Sequence, residues 1–369
     1  MKRIKAWLLT VAFVLPLAAC DNYTDSNMPL YNSPQADEIY IGVAYPMDAG
    51  DEETYFYKGV DLAVDEINVA GGVLGKKLRI VVRDDHDDTQ NAMQIATTFF
   101  EQGITAVVGH WGTDICYLLA DIYDANAVVM VTPQATGMSL FDNEYQYVYR
   151  MIANNQELAQ AIAQHISEAG LSRAAIYFSD NEYGNDFAAT IENELSKKNV
   201  VVIDRVTSIT PANSKAIMDR WKAFGCDSVI VAESPPGFIE PVQLIYEADS
   251  RLPIYGADNF GGYNLPSLLG EAGCSLYMAS YPLETLAPRF LAAFRAAYGH
   301  DPCILAVSGY DSVFLLRNAM EAVGTTDSTA IAAFLSELQD YSAASGSLSY
   351  NKDTQEFDGF KVAVSKLIP

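Results

Sequence analysis

Between Thr105 and Thr136 the chain reads TAVVGHWGTDICYLLADIYDANAVVMVTPQAT, and few architectures accommodate that order of residues. Ala106 to Val108 has the character of a buried strand, Gly109 to Gly112 of a glycine-bounded turn, and Thr113 with Asp114 of a helix opening. Val128 to Val131 supplies a second buried strand, and Thr132 to Thr136 a polar tip. Two strand ends therefore present hydroxyls and free amides on one rim. In an open α/β sheet that rim, outside the carboxyl ends of the strands, is where ligands bind.

The same alternation runs along the chain. A strand over Ile39 to Val43 precedes a helix from Tyr55 to Ala70 stopped by Gly71 and Gly72, then a strand from Leu78 to Val82 and a helix from Asn91 to Phe100. The pattern restarts after residue 153, with strands at Ala174 to Phe178, Val200 to Val206, Ser228 to Val231, Ile254 to Gly256 and Leu276 to Ala279. Helices from Glu157 to Glu168, Asp186 to Lys197, Ser214 to Phe224 and Ile239 to Glu247, with a weaker segment at Leu265 to Leu269, separate them. Alternation of this kind predicts parallel sheets covered by helices on both faces. With 369 residues, half of them hydrophobic and 19% charged, there is material for two cores. Two further helices, Pro288 to Tyr298 and Leu305 to Val323, have no strand between them, so the second sheet cannot continue through them. The chain is expected to return there to the first domain.

Lys2, Arg3 and Lys5 precede an apolar run from Ala6 to Leu17, the layout of a secretory signal over residues 1–19. The run ends Leu17-Ala18-Ala19-Cys20, which resembles a bacterial lipobox and implies cleavage before Cys20 and lipidation of its sulfur. Residues 20–37 are rich in Asn, Asp, Ser and Pro and read as a flexible tether. Removing the three basic residues takes the formal charge from −24 to −27. Nucleic acid is excluded as a partner, because phosphate binding needs a basic surface. Cys116, Cys226, Cys274 and Cys303 allow three full disulfide pairings in an exported chain, and the sequence does not choose among them.

Catalytic motifs are missing. The run Asn68 to Lys77 lacks the residues of a phosphate loop and reads as a helix stop and turn. The acidic cluster Asp84 to Asp88, with His86, lacks the spacing of a calcium loop and reads as a solvated strand-end loop, so no metal or cofactor is expected. No nucleophile elbow or His-Glu-x-x-His occurs, and no enzyme is expected. The rim is better furnished. Thr113 at a helix start offers a hydroxyl beside free amides and the positive end of the helix dipole, which suits a ligand carboxylate; a plain N-cap is the alternative. Gln134 and Thr136 sit on the neighbouring strand end, Tyr183 follows the first strand of the second half, and Asp258 follows the fourth, where a carboxylate can take an ammonium.

Ile41-Gly42-Val43 followed by Pro46-Met47, Gly59 through Val73, Asp84-Asp85, Val108-Gly109-His110, Asp121-Ile122-Tyr123, Thr132-Pro133 with Ala135-Thr136, Tyr183-Gly184, and Gly346 through Gly359 occur in that order. Together they resemble the type I periplasmic solute-binding proteins, in the branch of the leucine/isoleucine/valine-binding protein. The resemblance implies an α/β fold of two Rossmann-like lobes with parallel sheets, joined by a three-segment hinge that closes over ligand. Crossings would fall near Ala153, Leu283 and Gly346, giving a first lobe of 38–153 plus 284–346 and a second of 154–283 plus 347–369. It further implies that Thr113 holds an α-carboxylate, that Gln134 gives a backbone carbonyl, and that Thr136 touches both ends of the amino-acid head. Asp258 would pair with the ammonium, and Tyr183 would lie over the ligand.

Departures from the branch bear on specificity. Trp111 replaces a smaller apolar residue of the side-chain pocket, Gly112 and Asp87 stand where the branch has a disulfide, Ser234 replaces a pocket Tyr, and the loop Asp48 to Thr54 is shorter and acidic. A larger, flatter or more polar amino acid than leucine fits these changes, while a Trp111 that only packs in the core is the alternative. The expected protein is a monomeric, lipid-anchored receptor at the periplasmic or cell-surface side of a membrane, delivering an amino acid or similar small zwitterion to an ABC permease. A sensor passing the closed state to a signalling protein is the other reading.

Overall fold

The computed structural model describes residues 37–47, 55–234, 236–257 and 275–367, together with Phe260, Leu265 and Leu269. The expected signal, tether and lipidation at Cys20, and the expected ammonium partner Asp258, lie outside the described residues, as does Cys274.

The first half contains β1 (Glu38–Ala44), α1 (Phe56–Val69), β2 (Lys77–Arg83), α2 (Thr89–Glu101), β3 (Ala106–Val108), α3 (Thr113–Ala125), β4 (Val129–Thr132) and β5 (Val148–Arg150). These strands form one sheet in the order β2-β1-β3-β4-β5, every neighbouring pair parallel. The order reverses beside β1, where the chain turns from one side of the sheet to the other. That is the topological switch point at which doubly wound sheets open a crevice. The strands read as continuous apolar runs because helices cover both faces. Val108, for example, joins a core shared with α1, while its neighbour Val107 joins a separate cluster with α2 and α3.

The second half runs α4 (Asn155–Glu168), β6 (Arg173–Phe178), α5 (Glu182–Lys197), β7 (Val201–Val206), α6 (Ser214–Ala223), β8 (Ser228–Ala232), α7 (Ile239–Ala248), β9 (Ile254–Gly256) and β10 (Leu276–Ser280). α8 (Leu283–Leu286), α9 (Pro288–Tyr298), α10 (Ile304–Val323) and α11 (Ser328–Leu335) follow, then β11 (Tyr341–Ala343), β12 (Gly346–Asn351), β13 (Glu356–Phe360) and β14 (Ala363–Lys366). The second sheet has the order β14-β10-β9-β8-β6-β7, parallel except for β14, which runs antiparallel to β10.

α10 packs on α1, so the chain does return to the first sheet. The approach is close enough to need glycine: a Cβ on Gly59 would lie 1.9 Å from the Ala306 carbonyl oxygen, and one on Gly309 would lie 3.0 Å from the Phe56 ring. Three segments meet between the lobes. The Ala153 amide donates to the Tyr281 hydroxyl at 2.9 Å, Tyr281 stacks on Phe360, and Asn154 Nδ2 donates to Glu356 Oε2 at 2.9 Å. Gly346 does not lead straight into the second sheet. The antiparallel ribbon β11-β12-β13 intervenes, held against the first lobe by Tyr149 packing on Tyr350 and Phe357, and the chain joins the second sheet at Ala363. The sequence reading did not anticipate this ribbon, although Leu348 and Tyr350 alternate with polar residues along β12; β11 is short, and Asp358 and Gly359 interrupt β13.

Two further expectations are settled by local contacts. Cys116 and Cys226 are free thiols, so none of the three full disulfide pairings forms; Cys116 Sγ donates to the His110 carbonyl and Cys226 Sγ to that of Ser228. The acidic run after β2 is a set of turn and cap contacts. Asp84 accepts from the Met47 and His86 amides, and Asp88 caps α2 by accepting from the Asn91 amide at 2.8 Å. Asp85 is instead fully buried and holds His110 Nδ1 at 2.7 Å, while His110 Nε2 meets the Tyr123 hydroxyl at 3.0 Å. Among the described residues there is no cluster fit to hold a metal ion, and no helix long and apolar enough to cross a membrane.

Candidate functional site

A cavity of about 210 Å³ opens where the carboxyl ends of the two sheets face each other. The first lobe contributes the turn after β3 and the tip after β4; the second contributes the loop after β6 and the start of α5. Trp111, Thr113, Gln134, Thr136 and Tyr183 all line it, so five sequence-selected positions on three separate loops share one space. All five are buried, although each carries a polar side-chain atom.

The turn after β3 presents an uncapped helix start to the cavity. Gly112, not Thr113, is the N-cap of α3, and it brings no side chain to satisfy the first-turn amides. Those N–H groups and the helix dipole are left available to an anion. The Thr113 hydroxyl does not cap its own helix: it accepts a hydrogen bond from the Gly137 amide at 3.0 Å, which ties the two strand tips together. A hydroxyl that accepts in this way still has its own hydrogen to donate.

The tip after β4 is built by two residues that stand outside the cavity. The Thr132 hydroxyl accepts from the Ala135 amide at 3.1 Å and donates to the His110 carbonyl at 3.3 Å, which curls the tip toward α3. Arg150, on β5 and 2% exposed, donates from Nη1 to the Ala135 and Gly137 carbonyls at 2.9 and 2.6 Å and pairs with the buried Glu356. Burial lowers its pKa to about 10, opposed by the carboxylates of Glu157 and Asp186, so it stays charged at neutral pH. Gln134 and Thr136 are thereby held in place, and Gln134 Oε1 is buried with no hydrogen-bond partner.

Trp111 fills both roles that the sequence left open. Its ring meets Tyr45 edge to face at 4.3 Å, Tyr45 stacks on Phe56 at 4.2 Å, and the same indole lines the cavity. Ser234 and Asp87, noted as departures from the branch, line it as well. The sequence reading did not single out Asp114, Asn181 or Thr89, which complete the rim. Asn181 carried a signal in being a good N-cap before a helix; it caps α5 by accepting from the Gly184 amide at 2.9 Å. Asp87 is exposed at the mouth, yet loss of surrounding water, and secondarily the charges of Asp85 and Asp114, push its carboxyl up to about 6.

The lobes touch directly beside the cavity. The Glu182 amide donates to Asp114 Oδ1 at 2.9 Å, and the Met138 amide donates to Asp186 Oδ2 at 3.0 Å. Each bond runs from one lobe to a carboxylate on a helix of the other.

Comparison with known proteins agrees with this fold. The profile of the family described as periplasmic binding protein matches residues 38–359. The chain is 28% identical over 264 residues to the Leu/Ile/Val-binding protein of Escherichia coli strain K12, covering 69% of this chain and 70% of that protein. It is 24% identical over 348 residues to the Leu/Ile/Val-binding protein homolog 3 of Brucella melitensis, covering 90% and 93%. The crystal structure of an ABC transporter substrate-binding protein from Desulfitobacterium hafniense in complex with Leu superposes with a TM-score of 0.79 at 31% identity, covering 89% of this chain and 97% of that one. These are binding proteins and not enzymes. A two-lobed α/β fold, a cavity between strand ends and a family match across the folded body lead to one assignment: the chain belongs to the periplasmic binding proteins, as a type I member of the Leu/Ile/Val-binding kind.

Proposed function

We propose that this protein captures an amino acid in the interlobe cavity and delivers it to an ABC permease, closing as it binds. The observation that carries the reading is the convergence of Thr113, Thr136 and Tyr183, from both lobes, on one cavity beside the uncapped start of α3. In this reading the α3 amides and Thr113 take the carboxylate, Gln134 and Thr136 the amino-acid head, Tyr183 covers it, and Trp111 borders the side chain. Asp258 is assigned the ammonium. A ligand touching both lobes favours the closed form, because only differential affinity shifts a hinge equilibrium. The names of the relatives, which bind branched-chain amino acids or serve ABC transporters, support the class of ligand and partner.

The lobes are assigned as 38–153 plus 284–346 and 154–283 plus 347–369, with the ribbon around β12 and β13 forming one side of the hinge. A monomer tethered by a lipid on Cys20 and placed on the periplasmic side fits the Leu17-Ala18-Ala19-Cys20 run. A thermal-shift screen over amino acids tests the reading, since a ligand that binds only the native state raises its melting point. Calorimetry on Asp258→Ala tests the head-group assignment: losing a buried ammonium partner is expected to cost about 2–5 kcal/mol of affinity, and unchanged binding would refute it.

A further inference from the structure

The polar groups of the cavity are unevenly matched. Among the described residues that line it there is no lysine, arginine or histidine, while Asp87 and Asp114 both border it. Asp114 engages Oδ1 with the Glu182 amide, which leaves its second oxygen. Inside, Gln134 Oε1 is an acceptor without a donor on a residue only 8% exposed. Thr89 and Ser234 bring hydroxyls, which serve as donor or acceptor. Apart from the uncapped α3 amides, which want an acceptor, the unmet demand of the lining side chains is therefore for donors.

A branched aliphatic side chain answers that demand badly. It strips water from the carboxylates at the rim and returns no hydrogen bond, and burying a charge unpaired is costly. The Asp87 carboxyl already holds its proton more tightly than an ordinary aspartate, first because surrounding protein displaces its water and second because Asp85 and Asp114 are close. An ammonium or guanidinium group carries donors only and reverses this balance through charge-assisted hydrogen bonds. The apolar stem of such a side chain needs an apolar wall to lie along, and Trp111, Ile115 and Pro46 form one.

We propose that the side-chain end of the cavity recognises a second positive charge on the ligand, so that the amino acid bound is basic and not branched aliphatic. Asp87 is the specificity-determining residue. This rests on the reading of the cavity as an amino-acid site.

Calorimetric titration with L-arginine, L-lysine, L-glutamine and L-leucine tests it. Arginine or lysine is expected to bind at least roughly tenfold tighter than leucine and glutamine. Asp87→Asn is the matched variant, since Asp87 has a left-handed φ of 52° that asparagine also adopts. It is expected to shrink the preference for the basic ligands by roughly tenfold, with an unaltered circular dichroism spectrum. Leucine or glutamine binding as tightly as the basic amino acids, or an Asp87→Asn protein with the same preference, overturns the inference and leaves the amino-acid reading standing. No binding by any proteinogenic amino acid overturns both.

Discussion

Asp186 on the second lobe accepts a hydrogen bond from the Met138 amide of the first at 3.0 Å, and the same oxygen accepts from Asn155 Nδ2 at 2.6 Å. It does not line the cavity, so it joins the two lobes without bordering the site. With Asp114 and the Glu182 amide it forms a pair of reciprocal contacts that exist only when the lobes are together.

Asp186→Ala is expected to weaken ligand binding without altering specificity. A hydrogen bond to a charged group is worth about 1.5–3 kcal/mol, which corresponds to a loss of roughly ten- to hundredfold in affinity. Small-angle scattering should show a more open particle at subsaturating ligand. Equal affinity in wild type and variant would show that the contact does not bias the hinge.

Gly137→Ala is expected to destabilise the protein by about 1–3 kcal/mol, the usual cost of overpacking a tight site. The new methyl would lie 2.4 Å from Thr113 Cγ2. Thr113→Ser removes that methyl and keeps the oxygen that accepts from the Gly137 amide. The double variant should therefore recover part of the loss in chemical denaturation; strict additivity would count against the contact.

Arg150→Met and Glu356→Gln should each lower stability by about 3–5 kcal/mol, because each leaves a buried charge without its partner. Arg150→Met should also weaken ligand binding, since it releases the Ala135 and Gly137 carbonyls that hold the tip carrying Gln134 and Thr136. Replacing both partners by apolar residues is expected to cost less than the two single losses combined. A denaturation cycle measures the coupling, and a value near zero would rule the pair out as a unit.

The Asp87 carboxyl sits at about 6 in the folded protein, above its ordinary 3.8. Its folded form holds the proton more readily than its unfolded form, so its contribution favours folding below pH 3.8 and is lost as pH rises from about 4 to about 6. Asp87→Asn removes that loss. In ligand-free protein the variant is expected to melt higher than wild type at neutral pH, with the gap closing toward pH 4. A gap that does not change with pH would contradict the assignment.

Much of the scaffold was legible because burial imposes a period on the sequence. β3, β9 and α9 fall where the apolar runs and flanking Gly and Pro put them. β5, α11, the ribbon β11-β12-β13 and β14 were not legible, being short, mixed in polarity, or stabilised by partners distant in the chain, as β14 is by β10. At the site, residue type and position at strand ends were enough to select Thr113, Gln134, Thr136 and Tyr183, which line one cavity. Their neighbours were a different matter. Whether Thr113 caps its helix depended on Gly137, and whether Trp111 faces the core or the cavity depended on Tyr45, which holds its edge while leaving the indole on the cavity wall.

The sequence by itself determined the alternation of strands and helices, the two lobes, and the rim on which the cavity-lining groups stand, because each follows from local periodicity and the direction of a parallel strand. Only the tertiary structure decided that Arg150 braces the tip, that Asp186 and Asp114 reach from one lobe to the other, and that the stretch from Thr105 to Thr136 forms one wall of a cavity with an acidic rim. Those contacts join residues whose spacing in the chain carries no signal: the pairing of β5 with β4 brings Arg150 to the tip, and the packing of one lobe against the other supplies the rest.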